Sequence, residues 1–197
     1  MNLLNPDKLK ARKRKSIMQA AFTLFSEYGV KKVKIVDIAK KANVSQVTIY
    51  NHFENKEHLL REVIMDYTNE KYEQYQLLLL NEELSYETRI ELYILDKINS
   101  TKELNPEIIE AALQKDKELQ GFLQQFSEEK AIPLFVHFVK QGQQSGHINP
   151  ELSIEIILFY LQILNKESST LATLIKHRGD SVSKELLHMF FYGLIGK

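Results

Sequence analysis

The chain of 197 residues contains no cysteine. Disulfide frameworks, thiolate chemistry and the small secreted scaffold are therefore excluded. The longest apolar run, residues 156–161, is too short to cross a bilayer, and the segment MNLLNPDKLKARKRKS has no apolar stretch of signal-peptide length. These absences predict a cytoplasmic protein.

Sequence motifs of catalysis are missing as well. The seven glycines form no G-x-G-x-x-G phosphate loop, and neither H-E-x-x-H nor G-x-S-x-G occurs. The six histidines are scattered, and even His52 and His58 are too far apart for one helical face. We therefore predict no enzymatic activity, no metal site and no cofactor.

The net charge of zero conceals an uneven distribution. Residues 1–56 carry twelve Lys and Arg against four acidic residues, a net charge of +8, and the rest of the chain carries −8. Such asymmetry predicts one end that faces nucleic acid and one that stays away from it. The basic run KLKARKRK taken alone could also be a merely solvated face.

Helical patterns run through the sequence, and no segment alternates like a strand. Outside residues 34–53, the sequence predicts eight helices. They run from about residue 7 or 10 to 28 and over 56–80, 86–98, 106–115, 118–126, 131–144, 150–166 and 181–194. Gly29 is placed to end the first helix as a C′ residue. We therefore predict an all-α fold.

Residues 34–53 read as two short helices around a tight turn. One apolar face with i, i+3, i+4, i+7 spacing is formed by Ile35, Ile38, Ala39 and Ala42. Asn43 follows, a residue that enters the left-handed region readily, and Ser45 is a good N-cap for the second helix. This pattern predicts a helix-turn-helix.

The second helix presents hydrogen-bonding and contact-making side chains without a carboxylate, as suits a DNA groove. They are Gln46, Val47, Thr48, Tyr50, Asn51 and His52. Gln46 can pair with adenine, Val47 and Thr48 can meet a thymine methyl, and Asn51 can read a base edge or a phosphate. Tyr50 and His52 suit phosphates, although Tyr50 could be a core aromatic with an exposed hydroxyl, and His52 a solvent-facing residue without a role.

The segment DIAKKANVSQVTIYNHFENKEHL resembles the pattern of the TetR-type bacterial transcriptional regulators, in order and in spacing. The likeness covers residues 12–70 well and the remainder in outline. The chain departs from the family pattern at three places. The family usually has Gly at the position of Asn43 and often has Gly at that of Val47. Val33 and Lys34 replace the Thr or Ser that is common just before the first helix of the motif. The resemblance implies DNA contacts near Lys34, along the helix that begins at Ser45, and at Lys56, at the start of the fourth helix.

Two late segments, residues 153–164 and 186–196, are apolar around most of the helical circumference. This pattern indicates helices that are buried on more than one side. A symmetric partner is the simplest cover for the second side, although both helices could lie wholly within their own core. The resemblance implies dimerisation through the last two helices. The predicted interface comprises Ile157, Tyr160, Leu161, Leu164, Leu187, Phe190, Phe191 and Leu194.

Aromatic residues of the second half could line an apolar cavity with a few polar groups. The predicted effector pocket comprises Tyr93, Phe122, Phe126, Phe135, His137, Phe138 and Phe159. Such residues could equally be core, and the expectation of a small-molecule effector depends largely on the resemblance.

Together these features predict a DNA-binding helix-turn-helix domain of three helices over residues 1–55. A connecting helix would lead into a larger helical bundle over 56–197, for ligand binding and dimerisation. The predicted function is a sequence-specific transcriptional regulator, a repressor released from a palindromic double-stranded DNA operator by an effector. The alternative is a helical adaptor or oligomerisation protein that does not bind DNA.

Overall fold

A computed structural model describes residues 6–103 and 112–166, with four single positions at 178, 182, 185 and 189. These residues are helical, with connecting turns and no strand among them. The helices are α1 Pro6–Tyr28, α2 Ile35–Ala42, α3 Gln46–Tyr50, α4 Lys56–Leu79, α5 Tyr86–Glu103, α6 Lys117–Phe126, α7 Ile132–Gln144 and α8 Ile154–Lys166. The all-α prediction is confirmed, and within the described ranges no helix is both long and apolar enough to cross a membrane.

The chain forms two compact units. The first comprises Met1–Asn69 and Glu107–Gly121, and the second Glu70–Pro106 and Phe122–Lys197. Helices α4 and α6 each begin in the first unit and end in the second. The predicted boundary between residues 55 and 56 stays a prediction.

The first unit is built on the apolar faces of α1 to α4. Helix α1 packs against α2, and α2 packs against α3. Fully buried side chains come from each of these helices and the turn after α3: Ile17, Ala21, Phe25, Ile38, Ile49, Phe53, Leu59 and Ile64. Arg61 on α4 forms ion pairs with Asp116 (3.2 Å) and Glu118, which hold the start of α6 within this unit.

The second unit has its own core. It consists of Leu79, Tyr86, Ile90, Phe138, Val139, Ile148 and Ile157. The Tyr86 ring stacks on Phe138 at 4.4 Å, and its hydroxyl donates a hydrogen bond to the Phe138 carbonyl oxygen (2.9 Å). Arg89 is buried beside both rings, and its guanidinium donates a hydrogen bond to the Leu79 carbonyl oxygen (2.7 Å). A cation therefore lies at the C-terminus of α4, where the helix dipole favours positive charge.

Most predicted helix limits agree with the structure to within two residues, with three differences. Helix α5 extends to Glu103, five residues further than predicted. A π-helical turn, Ser127–Ala131, precedes α7. Helix α8 begins at Ile154 rather than 150, because Asn149 and Pro150 form a turn and the Ser153 hydroxyl accepts the Ile156 N–H (3.3 Å) as N-cap. The predicted helices at 106–115 and 181–194 fall mainly outside the described residues.

Candidate nucleic-acid interface

The turn between α2 and α3 depends on a left-handed residue. Asn43 has φ 54° and ψ 49°, as its place in the sequence predicts. This conformation lets the Val44 N–H bond to the Ala39 carbonyl oxygen (3.0 Å) and close the end of α2. The chain can then turn at once into the second helix of the motif.

Helix α3 begins on the predicted cap. The Ser45 hydroxyl oxygen accepts the Thr48 backbone N–H (3.0 Å) and lies 2.8 Å from the Thr48 hydroxyl. Capping satisfies a backbone donor that a five-residue helix cannot pair internally. Both hydroxyls therefore shape the start of α3, and the contacts predicted for Ser45 and Thr48 with DNA stay predictions.

One side of α3 is anchored and the other is open. Ile49 and, just after the helix, Phe53 are buried. Gln46 and Asn51 are exposed, as are Val47 (67%) and Tyr50 (53%). The alternative reading of Tyr50 as a core aromatic is therefore wrong, and α3 presents polar and apolar contact groups to solvent.

The cations of α1 lie near the end of α3. His52 is half-buried, and its pKa is lowered mainly by burial and further by the charges of Lys10, Arg14 and Lys13. The lowered pKa favours the neutral imidazole at pH 7, and Lys10 and Lys13 are exposed. The basic run of the sequence thus adds positive potential beside the exposed residues of α3.

Arg14 has a structural role within this run. Its guanidinium lies 5.3 Å from the centre of the Phe53 ring and donates to the Glu62 carboxylate. These contacts tie α1 to α4 and pair the Arg14 guanidinium with a carboxylate, although its charge still lowers the pKa of His52.

Lys56 has partners that sequence reasoning missed. Its ammonium group donates to the carbonyl oxygens of Val30 and Val33, each at 2.9 Å. Those carbonyls belong to the loop between α1 and α2, and no local sequence signal marks them as acceptors. One of the three N–H groups is left for an anion. Lys34 at the start of α2 is exposed, and its backbone N–H donates to the Asp37 carboxylate (2.9 Å).

The predicted pocket residues have differing surroundings in the second unit. Phe138 is in the core, with Tyr93 and Phe135 packed against it. Phe122 and Phe126 are half-buried neighbours with ring centres 5.8 Å apart. His137 and Phe159 are exposed. The binding of an effector by these residues stays a prediction.

Among the predicted interface residues, Ile157 lies in the core of its own chain, whereas Tyr160 is 41% exposed. Ile156, Phe159 and Ile163 are exposed beside Tyr160, at the i, i+3, i+4, i+7 spacing of one helical face. The alternative that α8 lies wholly inside its own core is therefore wrong. The side chains of Leu161 and Leu164, and residues Leu187, Phe190, Phe191 and Leu194, lie outside the described set.

Within the described ranges, no group of three His, Asp or Glu side chains is placed to hold a metal ion. The exposed face of α3 and its flanking lysines carry the chemistry of the first unit, namely hydrogen bonding and positive charge.

Comparisons with known proteins agree with this geometry. Residues 17–63 match the profile of the bacterial regulatory proteins of the tetR family. The chain is 28% identical over 193 residues to the HTH-type transcriptional regulator YdgC of Bacillus subtilis, with 93% of each chain covered. It is 22% identical over 156 residues to the HTH-type transcriptional repressor KstR2 of Mycolicibacterium smegmatis, covering 77% of this chain and 75% of that protein.

The fold has close counterparts among solved structures. A transcriptional regulator from Saccharomonospora viridis, in complex with choline, has a TM-score of 0.77 at 16% identity, covering 95% of this chain and all of that one. The matched profile spans α1 to α4, including the turn at Asn43 and the open face of α3. On this evidence residues 17–63 form a DNA-binding domain of the tetR type, and the chain is a transcriptional regulator that binds DNA.

Proposed function

We propose that this regulator is a repressor, which binds a palindromic operator as a homodimer and leaves it when a small-molecule effector binds. The observation that carries the proposal is the exposed face of α3, free of carboxylates and flanked by the cations of α1. A helix with such a face can enter the major groove while lysines neutralise phosphates. The name of KstR2 as a repressor supports the direction of regulation.

The proposed reading group consists of Gln46, Val47, Tyr50 and Asn51. Gln46 and Asn51 each carry the paired donor and acceptor that adenine recognition uses. Val47 offers its methyl groups to thymine, and the Tyr50 hydroxyl suits a phosphate. Lys34 and the remaining N–H group of Lys56 would bind the phosphates that flank the bases read by α3. Ser45, Thr48 and His52 complete the proposed DNA-binding surface.

The homodimer is supported by the exposed apolar face of α8. A row of Ile156, Phe159, Tyr160 and Ile163 open to water is costly for a monomer, and a second copy would bury it by two-fold symmetry. Two copies would present two α3 helices to half-sites about one helical turn apart, or a multiple of that distance.

An effector site is proposed in the second unit. Support comes from the aromatic residues around Tyr93 and Phe135 and from the choline-bound relative in fold. An effector that favours the geometry unable to bind DNA would weaken operator affinity by its coupling energy, about 1 to 3 kcal/mol. Helix α4 begins in the first unit and ends in the second, so we propose that it transmits the change.

The function is tested by footprinting the protein on the DNA upstream of its own gene. We expect one protected palindrome, and an affinity that falls as salt rises by a log–log slope of about −0.9 per phosphate neutralised. Ligands that raise the melting temperature should then release this DNA. A helical adaptor would protect no DNA at low salt, which would refute the proposal.

Base reading is tested at Gln46. Gln46→Ala should weaken operator binding by about 1 to 3 kcal/mol and relax the preference at one base pair, with the salt slope unchanged. Fluorescence anisotropy with single-base operator variants measures both effects. Gln124→Ala, an exposed glutamine on α6, is the matched control. Equal losses on operator and random DNA would contradict a base contact.

A further inference from the structure

The first turns of α1 extend beyond the core of the first unit. Residues 6–15, here called the basic arm, include no buried side chain, and the first buried residue of α1 is Ile17. Ten helical residues span about 15 Å, which equals the rise of about four base pairs. The basic arm therefore presents nearly its whole surface to solvent or to a partner.

The basic arm repels itself. It carries six Lys and Arg against one acidic residue, Asp7, and like charges three or four residues apart destabilise a helix. Four of the cations are exposed and form no ion pair with any residue in the described ranges: Lys8, Lys10, Arg12 and Lys13. Lys8 also lies in the first turn, where the helix dipole disfavours a cation. A polyanion bound here would relieve this repulsion.

The helical period divides these cations between two faces. Lys10 and Lys13 share a face with Arg14, because residues three and four apart lie side by side on a helix. We call these three residues the inner face. Lys8 and Arg12, four residues apart, lie on the opposite side of the same helix and form the outer face.

Arg14 orients the inner face towards the end of α3. Its guanidinium lies 5.3 Å from the centre of the Phe53 ring, and the rings of Phe53 and His52 are neighbours at 6.2 Å. Lys10 lies one turn before Arg14 on the same face, and Lys13 lies beside it. The inner face therefore lies next to the histidine at the end of α3, which is part of the proposed DNA-binding surface.

A separate group of cations lies at the starts of α2 and α4. Lys56 donates to the carbonyl oxygens of Val30 and Val33, and Lys34 follows directly. Burial is the main cause that lowers the pKa of His52, and the charges that add to it come from the inner face, not from Lys34 or Lys56. The first unit thus places positive charge at two sites around its helix-turn-helix.

We propose that Lys10 and Lys13 bind backbone phosphates of the operator, and that these phosphates differ from those bound by Lys34 and Lys56. A helix in the major groove has a phosphate backbone on either side, so two groups of cations can each meet their own phosphates. Such contacts position the protein and add affinity without reading the sequence. This assignment rests on the proposed operator binding and extends the DNA-binding surface to α1.

Two double variants of the full chain remove equal charge from opposite faces of one helix. Lys10→Ala with Lys13→Ala changes the inner face, and Lys8→Ala with Arg12→Ala changes the outer face. Fluorescence anisotropy on operator DNA over a range of salt concentrations measures affinity and its salt dependence. Circular dichroism checks that both variants keep their helices.

The inner-face variant should lose two phosphate contacts per copy, hence four per dimer. Its log–log salt slope should become less steep by about 3.6, and its affinity at 0.1 M salt should fall about tenfold or more. The loss should be similar on operator and random DNA, because phosphates carry no sequence information. The outer-face variant should change the slope by less than one phosphate contributes, about 0.9.

Phosphate ethylation interference locates the contacts on the operator. Ethylation at the phosphates bound by the inner face should inhibit the unmodified protein, and should no longer matter to the inner-face variant. Lys34→Ala should lose interference at other phosphates. The outer-face variant should keep the full pattern of the unmodified protein.

The proposal is overturned if both double variants change the salt slope equally, which would mean that net charge alone acts. It is also overturned if the inner-face variant and Lys34→Ala lose interference at the same phosphates. Unchanged operator binding by the inner-face variant, with weaker binding to phosphatidylglycerol vesicles, would instead assign the basic arm to a lipid surface.

Footprinting of the unmodified protein separates these results from the proposed function. A protected operator together with equal slopes refutes the contact by α1 alone. Absence of any protected DNA at low salt refutes the proposed operator binding, and the contact by α1 with it.

Discussion

At the scale of single residues, the surroundings decide what a side chain can contribute to DNA binding. Lys56 has two of its three N–H groups on the carbonyls of Val30 and Val33, so it fixes the loop before α2 as well as offering charge. Arg14 forms an ion pair with Glu62. His52 is held neutral by burial and by neighbouring cations. The exposed lysines therefore carry most of the electrostatic attraction.

A pH dependence follows for His52. Its pKa in the free protein is lowered, and a nearby phosphate would raise it, so binding takes up a proton. Operator affinity should therefore increase as pH falls from 7.5 towards 5.5, by less than about tenfold per pH unit for each bound copy, the limit for one proton. Fluorescence anisotropy across this range should give a flatter curve for His52→Gln.

The matched control for this prediction is His137→Gln, which changes an exposed histidine of the second unit. Its curve should follow that of the unmodified protein. Identical slopes for His52→Gln and the unmodified protein would show that His52 takes no part.

Asn43 gives a second prediction at this scale. Its φ of 54° strains most side chains but not glycine. Asn43→Gly should leave the free energy of unfolding within about 0.5 kcal/mol, whereas Asn43→Ala should lower it by about 1 to 2 kcal/mol. Urea unfolding followed by circular dichroism distinguishes them, and equal stabilities would mean that the turn relaxes to another conformation.

At the scale of elements, α3 shows how a very short helix is held. Five residues cannot form a stable helix alone. The Ser45 hydroxyl accepts the backbone N–H of Thr48 in the first turn. Ile49 and Phe53 are buried and anchor one side of the helix in the core of the first unit. Stability thus comes from the cap and the two anchors, which leaves the outer side chains free to vary with the operator.

Two helical glycines, one in α6 and one in α7, are expected to respond in opposite ways to substitution by alanine. A Cβ at Gly142 would collide with the Tyr86 ring and hydroxyl, whereas one at Gly121 in α6 would meet nothing within 4 Å. Gly142→Ala should therefore destabilise the protein by about 1 to 3 kcal/mol. Gly121→Ala should stabilise it by about 0.5 to 1 kcal/mol, because alanine favours a helix interior.

Thermal and urea unfolding measure both glycine variants. A stable Gly142→Ala protein would mean that Tyr86 can turn away and give up its hydrogen bond to Phe138 at little cost. A destabilised Gly121→Ala protein would contradict the open space around Gly121.

At the scale of the whole molecule, the two units divide the work proposed for them. The first unit carries the face of α3, and the second carries the aromatic residues around Tyr93 and Phe135 and the exposed face of α8. The net charge of the sequence divides in the same sense, with the positive residues concentrated in the first 56.

Dimerisation is tested on α8. Phe159→Glu places a charge within the exposed apolar face, and should weaken self-association by about 1.5 to 3 kcal/mol or more per copy. Sedimentation velocity should then show monomers, with weaker operator binding. Gln162→Glu adds the same charge on an exposed position away from this face and should remain dimeric. A dimeric Phe159→Glu protein would place the interface elsewhere.

Much of the first unit could be predicted because its signals are local. The left-handed Asn43, the Ser45 cap, the C′ position of Gly29 and the limits of α1 and α4 each follow from a few neighbouring residues, and each is confirmed. The start of α8 was wrong because the Ser153 cap competes with Pro150 as a helix start. The π-helical turn at Ser127–Ala131 has no signal that periodicity detects.

By itself the sequence determined the helical class, the helix-turn-helix and the charge division, because short-range periodicity, capping and composition specify them. Only the tertiary structure decided which side chains are engaged in contacts with residues distant in the sequence. Partners distant in the chain hold Lys56 and Arg14, enclose Ile157 and bring Lys97 onto the rings of Tyr75 and Tyr93. Packing between helices far apart in sequence creates those surroundings, and no local pattern of residues encodes them.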